Sequence, residues 1–181
     1  MQNPRKVAVI GCGFVGASIA FSLMQKGLFS ELVLIDSNKA KAHGEAMDLS
    51  HGLPYAASMD IYAGSYDDIA DCALIIITAG ANQKPGETRM DLTRKNIAVF
   101  RSIVPQVVKY ASHAILLVVT NPCDVLTYVT WKISGLPSSQ VIGWTPRACA
   151  TCSPSTRAWT RATCIPTSWA STGTRSCPPG A

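Results

Sequence analysis

Four residues set out the chemistry this chain is equipped for. Gly11, Gly13 and Gly16 form a G-x-G-x-x-G directly after Val7-Ala8-Val9-Ile10, and Asp36 closes the next apolar run. An acid about twenty residues beyond such a glycine triplet is the spacing of a dinucleotide site. Gly11 makes the tight turn, Gly13 lets a pyrophosphate approach the backbone, and Gly16 lets helix and strand pack closely. The phosphates would lie on the unpaired N–H groups that open the helix beginning near Phe14, where the helix dipole favours negative charge. Asp36 can accept hydrogen bonds from a ribose diol, so NAD rather than NADP is the expected cofactor. The histidines His43, His51 and His113 fall away from this motif and read as surface or structural residues.

These residues need an alternating scaffold to hold them. Val7–Ile10, Glu31–Asp36, Met59–Ala63, Ala73–Thr78, Ala114–Val119 and Val141–Gly143 read as strands. Solid apolar middles suit parallel strands covered on both faces. Helical patterns run over Ala17–Met24, Asn38–Leu49, about Met90–Ala111 and Cys123–Ile133, with Gly135 as the last one's stop. Ala40, Ala42, Ala46 and Met47 are expected to supply the contacts of the second helix, and Pro105 to interrupt or bend the third. Asp67-Asp68 would cap a short helix through Ala70. Such alternation implies an α/β fold, a Rossmann doubly wound parallel sheet with right-handed crossovers. Ligands bind at the C-terminal strand edge of these sheets, where Gly11–Gly16, Asp36, Thr78-Ala79-Gly80 and Thr120-Asn121 all fall.

Charge divides the chain at Gly143. The whole carries 16 Lys and Arg against 11 Asp and Glu, for a net +5. After Gly143 come Arg147, Arg157, Arg161 and Arg175 with no acid, so the preceding part is nearly neutral. Trp144–Ala181 has five prolines and no periodicity, and is read as a tail without packed structure. Cys149-x-x-Cys152 with Cys164 and Cys177 lacks the second close pair of a zinc site. Four dispersed arginines among Trp144, Trp159 and Trp169 are a thin nucleic-acid footprint. No metal, nucleic-acid or membrane partner is expected. Cys12, Cys72 and Cys123 read as small buried residues. No apolar run approaches the roughly 18 to 20 residues of a membrane span, and the start resembles no secretory signal, so a cytoplasmic protein is expected.

Residues 1–143 resemble the NAD-binding half of bacterial L-lactate dehydrogenases, enzymes of glycolysis and pyruvate fermentation. The matching text includes Ala8–Ser18, Val33–Asp36, Ala46–Leu49, Ile77–Arg89 and Thr120-Asn121-Pro122-Cys123-Asp124. The loop Ala79–Arg89 is the most specific part, and Gly86 would act as its hinge in closing over substrate. The resemblance implies that Arg89 is catalytic, polarising the substrate carbonyl and stabilising the charge developed in hydride transfer. It implies that Gln83, Arg89, Asn121 and Asp124 meet a lactate or pyruvate substrate. Malate dehydrogenases have arginine where Gln83 stands, to pair with a second carboxylate, which makes that activity the alternative. The implied cofactor residues are Gly11, Gly13, Phe14, Val15, Gly16 and Asp36, then Lys41, Tyr66 and Thr78. Ala79, Gly80, Ala81, Ser102, Val119 and Asn121 complete them. The family is homo-oligomeric, usually a tetramer.

The chain departs from this pattern after Gly143. The family's acid/base histidine lies in a Gly-Glu-His-Gly-Asp-Ser segment, oriented by an aspartate that precedes the arginine gripping the substrate carboxylate. Neither element is present, and the tail contains no His, Asp or Glu. Codons for Trp169–Ser176, read from the third base of the tryptophan codon, can spell Gly-Glu-His-Gly-Asp-Ser-Glu. Codons for Trp144-Thr145-Pro146-Arg147 can likewise conceal Asp-Ser-Ala-Arg. A frameshift after Gly143 is therefore expected, running to a premature end. The expected organisation is an NAD-binding domain over 1–143 and an aberrant tail over 144–181, with the family's substrate domain missing. Such a chain would bind NAD without turnover, a non-catalytic remnant of the enzyme.

Overall fold

The computed structural model describes residues 3–82 and 86–144. Its elements run β1 (Asn3–Ile10), α1 (Phe14–Lys26), β2 (Glu31–Ile35), α2 (Lys39–Gly52), β3 (Asp60–Ala63), β4 (Cys72–Ile77), α3 (Arg89–Ala111), β5 (Ile115–Val118), α4 (Cys123–Ser134) and β6 (Val141–Gly143). The strands form one sheet in the order β3-β2-β1-β4-β5-β6. Every pairing is parallel, with Ala8 opposite Val33 on one side and Ile75 on the other. The chain is thus an α/β Rossmann fold, and its strand order reverses between β1 and β4, where such sheets open a crevice for ligands.

The continuous apolar runs resolve into two faces. Val7, Val9, Leu32, Leu34 and Ile76 point to one side and pack with Ala20 and Met24 of α1 and Ala42, Ala46 and Leu49 of α2. Ala8, Ile10, Val33, Ile35, Ile75 and Ile77 point to the other and meet Phe100, Val104 and Val107 of α3 and Leu126 of α4. Each fully buried aliphatic side chain contributes about 1.5–3 kcal/mol. Strands as short as β3 and β6 are therefore held by burial rather than by propensity. Cys12, Cys72 and Cys123 are buried free thiols, as their scattered positions suggested.

Three expectations change. The inward face of α2 is Ala42, Ala46 and Leu49, whereas Ala40 and Met47 are exposed. Pro105 sits inside an unbroken α3. It removes the donor to the carbonyl of Arg101, but both residues are exposed, so water can take that carbonyl. The short helix after β3 is a 3-10 turn over Tyr66–Ile69, capped by Ser65 together with Asp68. The expectations for the tail fall, from residue 145 on, outside the described residues.

At the opposite sheet edge from the ligand crevice, Lys6 is 6% exposed and lies 2.8 Å from both Glu31 and Asp71. The Tyr62 hydroxyl donates to Glu31 at 2.6 Å. This cluster ties β1, β2 and β3 to the residue preceding β4.

Candidate functional site

The turn between β1 and α1 is built from what its glycines lack. Gly11 has φ +104°, and a Cβ there would lie 2.5 Å from the Ala79 amide nitrogen. The Thr78 hydroxyl donates to the Gly11 carbonyl at 2.7 Å, locking this turn to the end of β4. A Cβ on Gly16 would overlap the Gly11 carbonyl oxygen and stand 2.9 Å from the Thr78 hydroxyl. Gly13 is different: a Cβ there meets nothing within 4 Å. Its Cβ side therefore faces open space. Asn38 and Thr88 cap α2 and α3 with side-chain oxygens, whereas α1 has no side-chain cap and no acid in its first turn. Its first-turn N–H groups therefore offer a fit for an anionic pyrophosphate.

Asp36 follows β2 at the same edge. One carboxylate oxygen accepts the Cys12 N–H at 2.7 Å and the other accepts the Asn38 N–H at 2.9 Å. The Ser37 hydroxyl adds a bond at 3.2 Å. Partial burial opposes ionisation, but the N–H donors of Asn38 and Cys12, with the charge of Lys41, outweigh it and hold the carboxyl below its ordinary value. Asp36 is thus an anion at neutral pH. It lines a cleft of about 280 Å³ with Lys39, Ala42, Gly64, Ser65 and Asp68. The neighbouring Cys12 thiol is pushed up to about 11 by burial and then by the Asp36 charge. It is therefore a neutral, buried thiol.

The loops after β4 and β5 meet beside the glycine turn. Thr120 donates to the Ala79 carbonyl at 2.9 Å, and a Cβ on Gly80 would lie 2.5 Å from the Thr120 methyl. Asn96 of α3 accepts the Ala81 N–H at 2.7 Å and donates to the Asn121 carbonyl at 2.9 Å. The Asn121 side chain is on the exposed side of this junction, and the Asn121–Pro122 peptide is cis. Gly11, Thr78, Ala79, Gly80, Ala81 and Asn121 are therefore brought together as one hydrogen-bonded rim.

Arg89 is the first residue of α3, exposed, behind a capping box in which Thr88 and Asp91 bond reciprocally. Lys95 pairs with Glu87 on the next turn, and Gly86 has φ +84°. Gln83 lies outside the described residues. Phe14 is 96% exposed and Val15 more than half exposed at the start of α1. Lys41 is exposed in the first turn of α2. Tyr66 is half-buried against the α3-side core, which raises its phenol above the usual range. Val119 donates its N–H to the Ile77 carbonyl and packs against the α1-side core. Asp124 is exposed in the first turn of α4. Ser102 is the residue least tied to the rim. It lies about 20 Å along α3 from Arg89, exposed, with its hydroxyl bonded to the Val99 carbonyl. The histidines stay away: His43 and His51 lie on α2, and His113 precedes β5 at the far sheet edge.

Asn96 was the residue that sequence reasoning missed. Its signal was a polar side chain on the apolar stripe later continued by Phe100, Ile103, Val104, Val107 and Ala111. Among the described residues no cluster of His, Cys, Asp or Glu could hold a metal ion, and no helix is long and apolar enough to cross a membrane.

A family model described as the NAD binding domain of lactate/malate dehydrogenase matches residues 5–143. L-lactate dehydrogenase of Clostridium perfringens is 54% identical over 142 residues, covering 78% of this chain and 45% of that protein. The Acetivibrio thermocellus protein of the same name is 57% identical over 139 residues, covering 77% and 44%. The solved minor L-lactate dehydrogenase of Enterococcus mundtii, in a ligands-bound form, superposes with a TM-score of 0.74 at 46% identity, covering 77% of this chain and 45% of that one. A lactate dehydrogenase from a Medee basin deep-sea metagenome gives the same TM-score at 50% identity, with coverage of 78% and 45%. The chain spans somewhat less than half the length of these relatives.

Proposed function

Because the chain belongs to the lactate/malate dehydrogenase family, we propose that its sheet edge is the NAD site of an L-lactate dehydrogenase lineage, and that this chain alone binds without turning over. The observation that carries the reading is the contrast among the glycines. Gly11 and Gly16 are filled to contact, while Gly13 stands open before an uncapped helix. The N–H groups from Gly13 to Gly16 would hold the pyrophosphate, with Phe14 and Val15 flanking it. Asp36 would accept from the adenosine ribose, whose base would occupy the adjoining cleft near Lys41 and Tyr66. Thr78, Ala79, Gly80, Ala81, Val119 and Asn121 would form the rim toward the nicotinamide, with Ser102 behind it on α3. When bound, NAD supplies the hydride acceptor for a 2-hydroxy acid.

On the substrate side, the Arg89 guanidinium would stabilise negative charge on the substrate oxygen. Asn121 and Asp124 would orient the acid, and neutral Gln83 favours a monocarboxylate such as lactate or pyruvate over malate. The parent enzyme is read as cytoplasmic and homo-oligomeric. Turnover further requires a proton acceptor at the substrate oxygen, and neither α2 nor the approach to β5 brings a histidine there. A missing acid/base group removes about 10²–10⁴-fold in rate. Titration with NAD tests the binding half: a ligand at about a hundred times its Kd stabilises the fold by about 2.7 kcal/mol. An unmoved unfolding transition would refute it. Oxidation of NADH with pyruvate by the purified chain would refute the second half.

A further inference from the structure

Asn96 is 1% exposed on α3, one turn before Phe100. A carboxamide buried there is costly unless both its ends are satisfied. They are satisfied from two different loops: its oxygen accepts the Ala81 N–H at 2.7 Å and its nitrogen donates to the Asn121 carbonyl at 2.9 Å. The amide cannot be turned over, since NH2 would then face an N–H and oxygen a carbonyl. Gly80 of the first loop faces Thr120 of the second, and a Cβ there would stand 3.3 Å from the Asn96 oxygen.

We infer that Asn96 is a positioning residue: its carboxamide sets the separation of the loops after β4 and β5 and fastens both to the helix that begins with Arg89. The inference rests on the NAD reading of this edge. Its chemistry is specific. A side chain of the same shape with two oxygens keeps the bond from Ala81 but sets an oxygen against the Asn121 carbonyl. Protonating that side chain restores the missing donor.

Asn96→Asp in the full chain is the test, with Asn96→Ser as a smaller variant that removes both bonds. At about pH 8 Asn96→Asp is expected to bind NAD about tenfold more weakly than the parent chain. At about pH 5.5 it should recover most of that loss, because burial raises the introduced carboxyl's pKa and keeps it protonated. Asn96→Ser is expected to be weaker at both pH values. Hydrogen exchange without cofactor, compared at one pH, should rise in both segments, 78–82 and 119–122, for either variant. Parental affinity together with parental exchange in a folded variant overturns the inference. If the parent chain itself fails to bind NAD, the NAD reading fails and exchange alone decides. Coupled loosening of both loops then sustains the tether, and unchanged exchange overturns it. Should Asn96→Asp fail to fold at the higher pH, Asn96→Ser carries the same comparison.

Discussion

The backbone N–H of Cys12 donates to the Asp36 carboxylate across 2.7 Å, so the second residue of the glycine turn is held by the end of the neighbouring strand. Asp36 thereby has two tasks, fixing the turn and facing the cleft beside it. Asp36→Ala is expected to lower the unfolding midpoint and weaken NAD binding about tenfold or more, since hydrogen bonds to a charged group are worth about 1.5–3 kcal/mol. The loss for NADP should be smaller, and calorimetry with both cofactors reads the ratio. The folded pKa of Asp36 is depressed, so its contribution to stability is fully present above about pH 4, the unfolded value, and is lost as pH falls through the folded value. Parent-chain affinity should be flat from neutrality down to that range.

Gly13 and Gly16 separate binding from folding. Gly16→Ala forces a methyl into the Gly11 carbonyl and should cost at least about 1–3 kcal/mol in urea unfolding. Gly13 has extended backbone and an open side, so Gly13→Ala should cost no more than about 1 kcal/mol as a helix-cap change. It should nevertheless weaken NAD binding about tenfold or more, because the methyl displaces phosphate from charge-assisted donors. Equal effects of the two substitutions on stability would contradict this assignment.

Lys6 is a stability element remote from the site. Burial works against its charge, but the bonds to Asp71 and Glu31 outweigh it and raise its pKa. Lys6→Met leaves Glu31 and Asp71 without their cation. Both keep some water contact, so the expected loss is about 2 kcal/mol rather than the about 3–5 of a fully buried pair. The Lys6 bond holds the Asp71 carboxyl below its ordinary value. That contribution stands above about pH 4 and disappears as pH falls through the folded pKa. The Lys6 contribution is also stabilising but has the opposite pH dependence, present below about pH 10 and lost as pH rises through its raised value. Denaturant titrations of the parent and Lys6→Met chains across both limits should converge at the acid end.

The two segments can share one reading frame. Codon choices exist in which each would open on the third base of a tryptophan codon, Trp144 or Trp169. Sequencing the gene should therefore show a single shifted frame after the codon for Gly143. Restoring that frame should yield a chain that oxidises NADH with pyruvate. An intact frame whose codons do not contain both segments sinks the idea.

Much of this was readable from residue types because parallel strands and glycine turns leave local marks. The six apolar runs became the six strands, and Gly135 stops α4 with φ +65°. What escaped depends on tertiary partners. Asn96 is satisfied by groups 15 and 25 residues away, so its place on the apolar stripe of α3 marks it as unusual but does not name its partners. The inward face of α2 escaped for a similar reason: small alanines recur so often there that only packing chooses Ala42 and Ala46 over Ala40. Pro105 does not interrupt α3, because the cost of a helical proline depends on whether water reaches the freed carbonyl.

The sheet order has a consequence for how the chain comes into being. β1 is made before the other strands yet occupies the middle of the sheet, and its second neighbour, β4, follows nearly seventy residues later (Ala8 pairs with Ile75). Synthesis at about 5–20 residues per second leaves that flank of β1 open for several seconds, with its hydrogen-bonding edge bare. The first three strands can assemble as they appear, but the cleft between β1 and β4 closes only late. A nascent chain is therefore most prone to wrong pairing during that interval, and chaperone capture should peak there.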